Sequence, residues 1–276
     1  MERSLSTHLF VRHRLTTVTL ERIARSGIPL VEIFCARQHF DYRDQGQIAE
    51  LGHWFRASEL KLHALHAPYF SDDIWGLSGP HSHINIAETV KAKRMQQVDE
   101  IKRTLEIAEK VPFRYLIQHV GMAGEEFHER KMDAVFSSLE ELTVFARQRG
   151  VEVLLENIPN GLSSAEKLNL FFDTTHMDLN VCFDTGHAHM TGNLEAEFHA
   201  LKPRIRSLHV HDNDGKDDLH LFPFSKGTID WRATMRLLNS APGQYPLLLE
   251  LKEVPEMEHP LDVVQHTFDQ LEGFDE

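Results

Sequence analysis

Cysteine is nearly missing from this chain: Cys35 and Cys182 are the only two in 276 residues. A disulfide framework is therefore not expected, and a reducing cytoplasm is the default compartment. Long apolar runs are missing as well. No stretch approaches the roughly 20 residues that span a membrane. The start, "MERSLSTHLFVRHR", has no apolar segment long enough for a signal peptide. Positive charge is scarce, with 29 Lys and Arg against 42 Asp and Glu, for a net charge of −13. Such a chain repels phosphate backbones on average, which argues mildly against nucleic acid as partner, although a local basic groove can sit on an acidic protein. No low-complexity linker divides the chain, so residues 1–276 are expected to form a single domain with a large core.

What is present is a regular alternation. Short apolar runs read as strands at 7–11 ("THLFV"), 30–34, 60–66, 114–120, 151–157, 179–184, 205–211 and 246–251. Helical spacing fills the intervals at 16–26, 46–59, 88–110, 129–150, 163–175, 193–201, 229–239 and 260–272. In the fourth helix Met132, Val135, Phe136, Leu139, Leu142 and Phe145 recur at threes and fours, and Gly150 is a natural stop. Eight strand-plus-helix units suit an α/β fold in which a parallel sheet closes as a (β/α)8 TIM barrel. An open doubly wound sheet is the rival, and the lack of a Gly-rich phosphate turn after the first strand weakens it. After the third strand, "APYFSDDIWGLSGPHSHIN" (67–85) is a long connection on which Trp75 could cover a site or simply tuck into the surface.

Histidine is abundant, at 19 residues. Residues 207–222, "SLHVHDNDGKDDLHLF", alone hold His209, His211, His220 and four aspartates. On the strand map His66, His119, Glu156 and Asp184 end strands three to six. His187 follows Asp184 by three, His209 and His211 lie near the end of strand seven, Asp218 and His220 follow in its loop, and Glu250 ends strand eight. In a (β/α)8 barrel those ends share one rim, where active sites lie. A carboxylate closing an apolar run needs a partner, because burying an unpaired charge is costly. The neighbours here are His and Asp, so a metal ion is the natural neutraliser. His63 is expected deeper in the barrel, as packing or support, and His211 as a supporting or substrate-binding residue. Asp212, Asp214 and Asp217 read as turn-forming and solvated. His8, His13, His53, His81, His83, His128, His199, His259 and His266 read as surface or local hydrogen-bonding residues.

The segments "LHAPY", "IQHVG", "LLENIPNG", "CFDTGHAHMTG", "LHVHDNDGKDDLHLFPFSKGTIDW" and "LLLELK" together resemble the xylose-isomerase-like TIM-barrel superfamily over nearly the whole chain. That superfamily includes sugar isomerases and epimerases and the endonuclease IV type of AP endonuclease. The resemblance to the epimerases implies one divalent ion on Glu156, Asp184, His209 and Glu250, with Glu156 and Glu250 also exchanging the substrate proton as catalytic residues. The resemblance to endonuclease IV implies three zinc ions on His66, His119, Glu156, Asp184, His187, His209, Asp218, His220 and Glu250, with Tyr69 matching an aromatic near the first ligand. Relatives commonly carry a Pro-Gly-x-Gly turn before "IDW". Here Ser225 and Lys226 stand in that region, and Lys226 could bind an anionic substrate group or be solvated.

The expected activity is a divalent-metal-dependent isomerase or epimerase, with zinc or manganese at one to three ions per chain, acting on a small carbohydrate or its phosphate. Tyr69, Trp75, His211 and Lys226 are the candidate substrate contacts. A keto-sugar dehydratase or lyase would share the first step. The alternative is a multi-zinc phosphodiesterase acting on abasic DNA, against which the acidic charge and the lack of a basic stripe weigh. A non-catalytic binding module would leave gaps among the ligands, and there are none.

Overall fold

The computed structural model describes residues 1–241, 243–254 and 257–274. Among these, eight strands make one sheet: β1 (Arg3–Ser6), β2 (Leu30–Phe34), β3 (Lys61–His66), β4 (Tyr115–His119), β5 (Glu152–Glu156), β6 (Asn180–Asp184), β7 (Ile205–His209) and β8 (Leu247–Leu249). Every paired neighbour is parallel, and the order β7-β6-β5-β4-β3-β2-β1-β8 follows the chain. A parallel bridge from Val210 to Leu249 joins the two ends of that order. Across this seam Val210 N–H donates to Leu248 O at 2.9 Å, and Glu250 N–H donates to Val210 O at 3.2 Å. The sheet is the expected (β/α)8 barrel.

The strands read as almost unbroken apolar runs because both faces are covered. Outward residues such as Val31, Ile33, Leu65, Leu116 and Val153 join the main core with the surrounding helices. Inside the barrel Ala64, Tyr115, Ile117, Leu154 and Cys182 form a small plug. The helices are α1 (Thr17–Arg25), α2 (Gln45–Ala57), α3 (Lys91–Glu106), α4 (Glu129–Arg147), α5 (Ala165–Thr175), α6 (Thr185–Met190), α7 (Leu194–Leu201), α8 (Trp231–Leu238) and α9 (Pro260–Glu272). Side-chain caps fix several starts: Thr16 accepts from Thr19 N–H, and Asp44 accepts from Gly46 and Gln47 N–H. α4 buries Val135, Leu139 and Leu142, and the chain turns at Gly150 with φ +72°.

Two expectations are corrected. The first strand is residues 3–6, and "THLFV" is a 3-10 turn over Thr7–Phe10. The Ser6 hydroxyl accepts from His8 N–H and starts that turn, which lays Leu9 and Phe10 into the core. The chain also forms α6, which apolar periodicity did not signal. Its start is the Asp184 carboxylate accepting from His187 N–H at 2.6 Å.

The long 67–90 connection is held by an antiparallel bridge between Phe70 and His83 and by Asp72, which accepts from Ser78 N–H and the Ser82 hydroxyl. Trp75 packs on a small cluster of Val11, Phe34 and Ala36, beside the C-terminal end of the barrel. Among the described residues no helix is long and apolar enough to cross a membrane.

Candidate metal centre

The final residues of five consecutive strands are His66, His119, Glu156, Asp184 and His209, and Glu250 follows β8 directly. Parallel closure brings these ends to one rim. Glu156, Asp184 and His209 are fully buried and Glu250 nearly so. His209 Nδ1 lies 3.0 Å from Glu156 Oε1, 3.3 Å from Glu250 Oε2 and 3.9 Å from Asp184 Oδ2. The other oxygen of Glu156, Oε2, is 3.0 Å from His119 Nε2 and 3.4 Å from His66 Nε2. It nonetheless makes no hydrogen bond among the described residues. Short separations without hydrogen-bond alignment are what side chains aimed at a common point produce.

The remaining ligand candidates join this core from α6 and the β7–α8 loop. His187 Nδ1 lies 3.0 Å from Asn157 O, and its Nε2 faces Asp218 Oδ2 at 3.1 Å. His220 Nε2 lies 3.2 Å from the same Asp218 oxygen. His220 takes φ +48°, a conformation disfavoured for a side chain with a Cβ, and its ring lies against that of His211. The two rings stack at 4.1 Å with 23° between planes. His211 Nε2 lies 3.1 Å from Asp184 Oδ2 and 3.7 Å from Asp218 Oδ1. His211 thus stands among the ligand candidates themselves. The donor atoms fall into five overlapping groups, each within 4.8 Å: Glu156–Asp184–His209–Glu250, His66–His209–Glu250, His66–His119–Glu156, Asp184–His187–His211, and His211–Asp218–His220.

The electrostatics follow from charges confined away from water. Burial alone would raise the Glu156 carboxyl, but His209 and His119 hold it well below the usual range. Burial opposes a proton on His209, yet the surrounding carboxylates of Glu250, Glu32 and Glu156 push it well above an ordinary histidine. His220 is likewise pushed up to about 9, because Asp218 outweighs burial. His119 is lowered, burial prevailing over Glu156. Carboxylates and imidazoles that favour each other's charged forms in a dry site form a donor set suited to a divalent cation.

The site floors a cavity of about 700 Å³. Tyr69 and Trp75 both line it, the Tyr69 ring 5.5 Å from that of His119 and the Trp75 ring 5.8 Å from that of His8. Lys226 is exposed and is not among the lining residues. The cations at the mouth are Arg12, Lys216 and Lys252, and their side chains make no hydrogen bond or ion pair among the described residues. Phe224, in the segment that departs from the Pro-Gly-x-Gly pattern, takes φ +64°, as a glycine would.

Several residues differ from their sequence reading. His8, read as a surface or locally bonded residue, is buried in the cavity wall, with Nδ1 3.0 Å from Leu251 O and its ring 4.6 Å from that of His220. Asp212, read as a solvated turn residue, is buried and accepts from Trp231 Nε1 at 2.7 Å and from Ile229 N–H at 3.1 Å. Glu32 was not singled out at all. It is a buried carboxylate inside the barrel, 3.1 Å from His209 Nε2. Its one signal was a charge in the middle of the apolar strand "LVEIF". His63 is where it was expected, below the rim, with Nε2 3.3 Å from the Ser207 hydroxyl.

An eight-stranded parallel barrel with a His- and carboxylate-lined bowl at the carboxyl ends of its strands defines a TIM barrel. A family profile described as xylose isomerase-like TIM barrel matches residues 20–272, and the chain belongs to that family. It is 27% identical over 266 residues to MJ1311, an uncharacterized protein of Methanocaldococcus jannaschii, covering 92% of this chain and 85% of that one. Among solved structures, a D-tagatose 3-epimerase-like protein is similar at 24% identity and TM-score 0.76, covering 99% and 97% of the two chains. The IolI protein, solved with a bound zinc atom, is similar at 18% identity and TM-score 0.77, covering 99% of both.

Proposed function

We propose that this protein is a divalent-metal-dependent isomerase or epimerase of a small sugar or sugar phosphate. The observation that carries the reading is a buried quartet, Glu156, Asp184, His209 and Glu250, in which one glutamate ending β5 and one just after β8 converge on one imidazole nitrogen. These four residues would hold the ion. When bound, a divalent cation polarises a substrate carbonyl and eases loss of the neighbouring C–H proton. One of Glu156 and Glu250 takes that proton, leaving an enediolate in the substrate, and the other returns a proton. General acid–base transfer of this kind contributes on the order of 10²–10⁴-fold. Tyr69 orients hydroxyl groups and Trp75 shields the cavity from water, while His211, fully buried and outside the cavity lining, supports Asp184 instead of touching the substrate. The cavity volume of about 700 Å³ suits a small molecule, since such pockets run from about 300 to 1,000 Å³. The similarity to an epimerase-like protein and to a zinc-binding one supports the same class. Dehydration of a keto-sugar would begin with the same proton removal.

A second reading, a multi-zinc phosphodiesterase, is favoured by one observation: the ligand groups extend beyond the quartet to His66, His119, His187, Asp218 and His220. The deciding experiment assays the metal-loaded protein on ketoses and their phosphates and, separately, on duplex DNA with an abasic site. Interconversion that disappears in Glu250→Gln, with the fold retained, is expected. Metal-dependent DNA incision without sugar turnover would replace the first reading by the second.

A further inference from the structure

Glu32 sits on β2 below the rim, with no solvent exposure. Its register partners are Ser6 on β1 and Ala64 on β3. One oxygen, Oε2, lies 3.1 Å from His209 Nε2, and the other makes no hydrogen bond among the described residues. No Lys or Arg pairs with it among the described residues, so His209 is its one ion-pair partner there. A carboxylate buried in this way is strongly unfavourable unless its partner requires it. The partner is a ligand candidate whose opposite nitrogen, Nδ1, faces Glu156, Glu250 and Asp184.

An imidazole with a carboxylate at each nitrogen must choose which nitrogen carries hydrogen once it is neutral. A cation can bind only a nitrogen lone pair. Glu32 offers only acceptor oxygens, so the hydrogen belongs on Nε2 and the lone pair on Nδ1. We propose that Glu32 is a positioning residue that fixes His209 in the Nε2–H form and aims its Nδ1 lone pair at the cation held with Glu156, Asp184 and Glu250. The buried charge is retained because it orders a ligand that sits on the end of a strand, where the backbone alone leaves the ring free to flip. The inference rests on the metal reading of the quartet.

The test uses zinc and the full chain. Zinc affinity is measured by chelator competition for the parent, Glu32→Gln, Glu32→Leu and Glu156→Gln, and unfolding of each is followed without metal. Loss of the supporting carboxylate is expected to weaken one zinc equivalent about 10–100-fold, more in Glu32→Leu than in Glu32→Gln, without a matching loss of metal-free stability. A purely structural Glu32 would give the reverse, lower metal-free stability with unchanged zinc affinity, and that result overturns the proposal. If Glu32→Leu does not fold, nitrogen NMR of His209 in the zinc-loaded parent decides: hydrogen on Nε2 is expected, and hydrogen on Nδ1 refutes the assignment. Unchanged zinc binding in Glu156→Gln would instead remove the metal reading beneath it.

Discussion

Gly186 lies in α6, where alanine would ordinarily be welcome, and its backbone dihedral is not the reason for glycine. The reason is His211. A Cβ at position 186 would stand 2.0 Å from His211 Cε1, 2.5 Å from Nδ1 and 2.6 Å from Nε2. Carbon contacts settle at about 3.5–4.0 Å, so the ring must retreat by about 1.5 Å. That movement breaks its approach to Asp184 Oδ2, now 3.1 Å. Overpacking costs about 1–3 kcal/mol, and a hydrogen bond to a charged group about 1.5–3 kcal/mol. Against these, Gly→Ala in a helix gains about 1 kcal/mol. Gly186→Ala should therefore lose about 1.5–5 kcal/mol, read by urea unfolding in the presence of a chelator so that metal loss does not enter. In a His211→Ala background the obstruction is gone, and the same change should be neutral or stabilising by up to about 1 kcal/mol. A Gly186→Ala variant as stable as the parent would refute the packing argument, and equal losses in both backgrounds would show that His211 is not the obstacle.

Asp218→Ala with His220→Ala should lower the metal content per chain while the quartet's ion remains. Elemental analysis checks this, and an unchanged content would make the pair loop or substrate residues. Arg12→Ala with Lys252→Ala should raise the KM for a phosphorylated ketose roughly tenfold, about 1.4 kcal/mol, and leave that for its unphosphorylated form alone. Equal effects on both would deny these mouth cations an anion-binding role. Burial holds His39 down to about 4, from 6.5 in an ordinary histidine. Its folded pKa is the lower one, so its contribution is complete above pH 6.5 and is lost as pH falls toward 4, by about 3 kcal/mol. The stability difference between the parent and His39→Gln should shrink over that window, and a constant difference would show that His39 does not titrate so.

The barrel was legible because eight apolar runs alternated with eight helical ones, and a parallel strand covered on both faces has few polar positions to confuse the pattern. The first strand was misplaced because "THLFV" is more apolar than "RSLS", although only the latter pairs with β2 and β8. That error hid His8: a residue assigned to mid-strand has no reason to reach the rim, whereas the 3-10 turn carries it there. α6 was missed because six residues, "TGHAHM", hold no apolar period and start on a capping bond from Asp184. The β7–α8 loop was read in part. The role of Asp212 depends on Trp231, 19 residues further on, and no local pattern announces a hydrogen bond of that range.

The candidate ligands were found by a topological rule, since every parallel strand of a barrel delivers its last residue to the same rim. That rule finds residues at ends and is blind to those below them. Four buried carboxylates, Glu32, Glu156, Asp184 and Glu250, and the exposed Asp218 at the mouth meet histidine and no Lys or Arg among the described residues. Fixed cations would have neutralised them permanently. Imidazoles do so only while protonated, and they can yield that place to an ion without any change in the backbone. The choice of histidine over lysine around these carboxylates is therefore itself an argument for exchangeable charge. Glu32 belongs to the same reasoning, because a carboxylate one layer down acts on the site only through the ring of His209.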